Sequence, residues 1–238
     1  MSIVHHAGNP VKARVTGPEA MYETIMEMGL VPFFENPVPG YSIEEMTPPQ
    51  FWFAGDGASL GPWDWKIFSV QSGDVAYGKF LWGGKAAFAT VEWYGHLLNW
   101  RRSLPKYRPN AAQQRILDYL EENGTIGIRE VRELLGVRKS EADAVITRLQ
   151  MQCRVVTGDM LRVYRGEDLH YNGWQRSSFC TPEALFEAPS GGTGNPFLIG
   201  SVLHRPSCSP EESLAALVDH VRTIAPAATD AQILKMLA

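Results

Sequence analysis

The chain is poor in the residues that make metal clips and disulfide frames. Its 238 residues include only three cysteines, Cys153, Cys180 and Cys208, an odd number with wide spacing. That suits reduced thiols rather than a disulfide frame or a CxxC clip. Of the histidines, His5 and His6 are adjacent in a polar tail, and His96, His170, His204 and His220 are isolated. No pair has the i, i+4 spacing of helical metal ligands, so neither a metal nor a cofactor is expected. Long apolar runs are missing too. AAFATV and PFLIGSVL fall far short of a bilayer span, and MSIVHHAGNPVKAR holds no apolar signal region, which gives the expectation of a cytoplasmic protein with no membrane partner. Two formal motifs lack their context. GASLG, from Gly57 to Gly61, runs straight into Pro62 with no buried strand ahead of it, so it is not a nucleophile elbow. PSGGTGNP has neither the strand nor the helix of a phosphate loop and reads as a linker.

What the chain does have is a block of aromatics. Between Gly61 and Arg102 stand Trp63, Trp65, Trp82, Trp93 and Trp100, five of seven tryptophans, with Trp52 a sixth just upstream. Lys66, Lys79 and Lys85 are set into its apolar runs and Arg101 and Arg102 close it. Large aromatics supply buried area while their polar edges still need partners, so the block suits both a core and the wall of a concave site. Charge is polarised as well. From Arg101 to Arg165 there are 13 basic and 8 acidic residues, +5 in all, which leaves −9 for the rest of a chain whose net charge is −4. A basic segment in an acidic chain fits a nucleic-acid partner, and it also fits solvated helix faces.

Taken in order, GPEAMYETIMEMGL reads as a helix entered at Pro18 and stopped at Gly29. The five prolines from Pro32 to Pro49 forbid long elements in the next stretch. WKIFSVQ and DVAYGKFLW are expected to be strands turning at Ser72, Gly73 and Asp74, with KAAFA after a reversal at Gly83 and Gly84. Thr90 opens a helix that runs to Arg102. Asn110 and Gln113 then have capping-box spacing, and helices follow through Ile116 to Leu120, through Ile128 to Leu135, and from about Ser140. CRVV and MLRVY follow as strands around a turn at Thr157, Gly158 and Asp159. Helix, helix, turn, helix, hairpin is the order of a winged helix-turn-helix. In such a module the third helix enters the major groove through its N-terminal residues, and basic flanks hold phosphates. Arg138, Lys139, Arg148 and Arg162 occupy those places. Ser209 with Glu212 and Thr229 with Gln232 cap a final helical pair.

GPWDW, AYGKFLWGGKAAFATVEWYGHLLNWRR, TRLQMQCRVV and NGWQRSSFCTPEALF together resemble the AlkZ-like winged-helix DNA glycosylases, above all their uncharacterised AlkZ-related branch. The resemblance implies tandem winged helices that cradle DNA, and relatives that excise alkylated bases or unhook interstrand crosslinks. It also implies a catalytic Gln-x-Gln or Gln-x-Asp early in the chain, after a helix ending in Leu-Gly or similar. Here that place reads Gly29, Leu30, Val31, Pro32, Phe33, Phe34, Glu35, without a glutamine. Gln150 and Gln152 do form a Gln-x-Gln, at the end of the third helix of the winged module, and the role is not transferred to them.

The expected fold is therefore α+β, with winged-helix repeats, small antiparallel hairpins and a C-terminal helical pair. Residues 1–108 form an aromatic-rich, winged-helix-like region, 109–188 a winged helix-turn-helix, and 189–238 a linker and helices. Three functions stay open. The first is a DNA-binding protein without the catalytic motif, holding duplex or damaged DNA through Arg101, Arg102, Arg138, Lys139, Arg148, Arg162, Lys66, Lys79, Trp63 and Trp65. The second is an active glycosylase with Asp64 or Glu35 acting on a base stacked against Trp63 or Trp65. The third is a protein-interaction scaffold.

Overall fold

The computed structural model describes residues 14–52, 60–186, 202–203 and 206–238. Pro18 starts α1 (Pro18–Met28), and Gly29 ends it at φ +66° with its N–H on the Ile25 carbonyl at 2.8 Å. A Cβ at Gly29 would stand 2.3 Å from the Trp93 ring, so both the backbone angle and the packing require glycine. The chain continues through β1 (Leu30–Pro32), the Ser42-capped α2 (Ile43–Met46), α3 (Pro62–Gln71), β2 (Val75–Leu81) and β3 (Lys85–Thr90). These strands make an antiparallel sheet of order β1-β3-β2, in which Phe88 stands opposite Val31 on one side and Tyr77 on the other.

After α4 (Val91–Ser103) come α5 (Ala111–Asn123), β4 (Ile126–Gly127), α6 (Ile128–Leu135), α7 (Lys139–Met151), β5 (Val156–Arg165) and β6 (His170–Cys180). Their sheet has the order β4-β6-β5, again antiparallel. The two sets share one plan: helix, strand, two helices, hairpin, with the first strand paired to the last. The fold is α+β with small antiparallel sheets, and this unit of connectivity occurs twice. α8 (Pro182–Leu185), α9 (Pro210–Ile224) and α10 (Asp230–Leu237) complete the chain, and the Ser209–Glu212 and Thr229–Gln232 capping boxes are both formed.

Two expected elements differ. WKIFSVQ is the body of helix α3, not a strand, because Pro62 sets the first helical turn and the helix is buried on most sides. Burial all round erases the amphipathic stripe that would have distinguished it from a strand. The hairpin does not turn at Thr157 to Asp159 either. β5 passes through that point with a register shift, and the reversal lies between Arg165 and His170. Gly158 serves the bulge, where a Cβ would lie 2.9 Å from the Cys180 sulfur. The Gly/Ser-rich linker and the His5–His6 tail lie outside the described residues.

One core joins α1, β1 to β3 and α4 with Leu217, Val221, Ile233, Met236 and Leu237 of the C-terminal pair. A second, smaller core fills the helices of the later unit with Ile116, Leu120, Val131, Ile146 and Leu149. Cys153, Val156, Met160 and Cys180, at the root of the second hairpin, belong to the first core. The second unit is thus anchored by its root.

Arg101 sits at that anchor, 0% exposed. Its guanidinium donates to the Met151 carbonyl at 2.7 Å and to the Leu237 carbonyl, with the Tyr107 ring 5.3 Å away. Both carbonyls are at helix C-termini, of α7 and α10, where unpaired acceptors and the helix dipole favour a cation. Arg102 reinforces the joint with two bonds to the Cys153 carbonyl, at 2.6 and 3.1 Å, and an ion pair to Glu183 at 2.5 Å. Replacing Arg101 by Met should lower unfolding free energy by about 3 kcal/mol in denaturant titrations, because two buried carbonyls lose a charged donor. Arg101→Lys should recover only part of this, since an ammonium cannot reproduce the planar fork. Full stability of Arg101→Met would contradict the assignment.

Candidate nucleic-acid interface

A cleft of about 970 Å³ lies where the two units face each other. The first unit contributes Phe34, Trp63, Lys66, Tyr77, Lys79 and Lys85, from the chain after β1, from α3 and from the β2–β3 hairpin. The second contributes Arg129 of α6, Lys139 and Thr147 of α7, and Arg165, Trp174 and Arg176 of the β5–β6 hairpin. Among the described residues, seven lysines and arginines line this space against two carboxylates, Glu130 and Asp143. Glu130 is engaged in holding the Gly127 N–H at 3.1 Å. The floor is polar but internally satisfied: Gln150 accepts from the Lys79 N–H at 3.1 Å, an approach that the absent side chain of Gly78 permits.

Within the cleft Lys66 is the unusual cation. It is 5% exposed, and its Nζ stands 4.6 Å from the centre of the Trp63 ring and 6.0 Å from that of Tyr77. Burial draws its pKa down to about 8, against the opposing pull of Asp64. Trp63 is 46% exposed, so one end of this aromatic group opens to solvent. The hairpin carries a second exposed aromatic, Trp174, with the Arg165 guanidinium 5.9 Å from its centre. Such pairs suit flat, electron-rich ligands on a charged backbone.

Asp64 has another task. It is 8% exposed, and its Oδ1 accepts from the Tyr171 hydroxyl, from Arg162 Nε at 3.4 Å and from Gln175 Nε2 at 3.4 Å. These donors all come from the β5–β6 hairpin, so a carboxylate in the first turn of α3 latches one unit to the other. Burial and the bond to Asp64 together raise the Tyr171 pKa. Gln71, at the far end of α3, adds bonds to Asp159 at 3.0 Å and to the Met160 carbonyl at 3.2 Å.

The residues singled out in the sequence are therefore dispersed. Trp63, Lys66, Lys79 and Lys139 meet in the cleft. Arg101 and Arg102 are committed to the interior joint, and complete burial removes Arg101 from any surface contact. Trp65 is buried against Phe51. Arg148 donates to the Lys106 carbonyl at 2.8 Å, Arg138 pairs with Glu141 at 3.4 Å, and Arg162 with Asp64. Glu35 is exposed, outside the cleft lining, and its N–H donates to Glu44 at 2.8 Å. Gln152 donates to Gln113 at 3.0 Å, which makes it part of the support for the α5 cap.

Lys85, Arg129, Arg165, Trp174 and Arg176 belong to the cleft but not to the set expected from sequence. A turn at Thr157 to Asp159 would leave the last three outside the hairpin. Read through a bulge at Gly158, the strands extend to Arg165 and put Arg165, Trp174 and Arg176 on one long hairpin. Among the described residues no group of three His, Cys, Asp or Glu side chains is placed to hold a metal, and no helix is long and apolar enough to cross a membrane.

The latch makes a prediction. Asp64→Ala should cost about 2 kcal/mol of stability, since a charged acceptor is lost to several partly buried donors. In a double-mutant cycle with Tyr171→Phe, the two changes should couple by about 1 kcal/mol. Additive effects would separate Asp64 from the hairpin.

No curated protein and no solved structure matches the sequence. A family model does, the one described as AlkZ related, over residues 15–238. The match takes in both units, the cleft between them and the C-terminal helices. The chain belongs to the AlkZ-related family.

Proposed function

We propose that this protein binds duplex DNA, damaged duplexes included, in the cleft between its two units. The charge of the cleft carries this reading: among the described residues, seven basic side chains stand against two acidic ones, in a chain whose net charge is −4. A concentration of one sign in a concavity is what a polyphosphate backbone needs. The connectivity of residues 111–180 supports a winged-helix role for this unit, with the start of α7 at the groove through Lys139 and the β5–β6 hairpin as the wing. Exposed Trp63 and Trp174 at the two sides of the cleft are suited to stacking on an unpaired or displaced base.

The reading stops at binding. The position where related glycosylases carry a catalytic glutamine is strand β1 with Phe33 and Phe34, and Phe34 presents a ring to the cleft. Asp64 is held by the hairpin and Glu35 lies outside the cleft lining, so neither offers a carboxylate to a water beside a bound base. Family membership relates the chain to DNA glycosylases; its own residues favour recognition of damage over excision by the family's motif.

Fluorescence anisotropy with a labelled duplex tests this. Affinity should fall about 10³-fold between roughly 50 and 200 mM salt, as expected when six or more phosphates are neutralised. The double variant Lys79→Glu/Lys139→Glu should bind at least about tenfold more weakly, by charge repulsion, while Lys235→Glu, away from the cleft, should bind as the parent does. Salt-independent or absent binding, or equal losses for both variants, would overturn the proposal.

A further inference from the structure

Four lysines among the described residues line the cleft, and they are not alike. Lys79, Lys85 and Lys139 are exposed, as lysines that meet phosphates are, whereas Lys66 is buried at the aromatic end. A lysine used only as a counter-charge gains nothing from burial, which weakens its hydration without supplying an anion. Here the ammonium lies against the Trp63 and Tyr77 rings, and Phe34 lines the same side of the cleft. Asp64, two residues earlier on α3, is held instead by Arg162, Tyr171 and Gln175. The result is a primary amine in an apolar, ring-walled recess that opens into a cavity large enough for a nucleotide.

We propose that Lys66 is an amine nucleophile that forms an imine with aldehydes in DNA, specifically with C1′ of the ring-opened deoxyribose at an abasic site. The inference rests on the DNA-binding reading above. The neutral Nζ adds its lone pair to the aldehyde carbon, and the carbonyl π pair moves to oxygen, which is protonated to give a carbinolamine. Loss of that oxygen as water, together with the two hydrogens of the amine, leaves a C=N bond. No oxidant or reductant is consumed. Desolvated lysines are nucleophilic because more of the amine is neutral. With its pKa lowered to about 8, Lys66 near neutral pH holds about two orders of magnitude more free amine than an ordinary lysine. Abasic sites are what base excision leaves behind, so this chemistry would act after a glycosidic bond has been broken, by another agent or spontaneously.

Borohydride reduces an imine to a stable secondary amine, so incubation with a labelled abasic-site duplex and sodium borohydride should leave a covalent protein–DNA band in a denaturing gel. Peptide mapping should place the adduct on Lys66. An intact duplex should give no band. Lys66→Arg, which keeps the charge, and Lys66→Met, which keeps the length without it, should each reduce trapping at least about tenfold, the approximate gap between a buried, activated amine and an exposed one. Anisotropy with the same abasic duplex separates the two claims. Binding without trapping, or an adduct mapped to Lys79, Lys85 or Lys139, overturns the role of Lys66 and leaves the DNA-binding reading intact. Absence of binding overturns both.

Discussion

The arrangement depends on a buried arginine without a carboxylate beneath it. Arg101 satisfies the carbonyl ends of α7 and α10 at once, and each of those ends is an acceptor that an apolar interior would otherwise leave without a partner. Its position at the end of α4 makes it the meeting point of the first unit, the second unit and the C-terminal pair. Arg102, one residue on, secures the Cys153 carbonyl and Glu183. With Asp64 tying α3 to the far hairpin, the units are held at two separate places. The cleft is the space these attachments leave between them.

That construction explains why basic residues distant in sequence share a surface. Lys79 and Lys85 flank the first hairpin, Lys139 starts α7, and Arg165 and Arg176 stand on opposite strands of the second hairpin. Each unit alone offers a few exposed cations of little consequence. Facing each other across a cavity, they make a field that a polyanion would feel. The aromatic side of the same cavity has a different composition: Phe34, Trp63 and Tyr77 line it around a buried lysine.

Local signals were readable in the sequence and spatial ones were not. Asn110 with Gln113, Ser209 with Glu212 and Thr229 with Gln232 form the capping boxes their spacing announces, because a cap depends on residues within one turn. The later helices followed from the same kind of signal. Helix α3 did not, since a helix packed from most sides has no apolar stripe. Gly158 followed by Asp159 has the composition of a turn, yet in a bulge the same glycine lets the strand pass Cys180. Arg101 and Arg102 looked like surface bases at a helix end. Sequence gives a charge its sign but not its depth, and the partners that draw Arg101 inward are 50 and 136 residues away. Asp64 was legible as an acid among aromatics, but not the particular partners that hold it, which lie on a hairpin extending beyond Thr157 to Asp159.

The central claim is that one face, the cleft, receives the DNA. Hydrogen–deuterium exchange with and without a duplex tests it without altering any residue. Exchange should slow at the turn between β2 and β3, at the starts of α6 and α7 and along the β5–β6 hairpin, while α9 and α10 stay unchanged. Protection centred on α9 and α10, or none in the cleft at saturating DNA, would contradict the account.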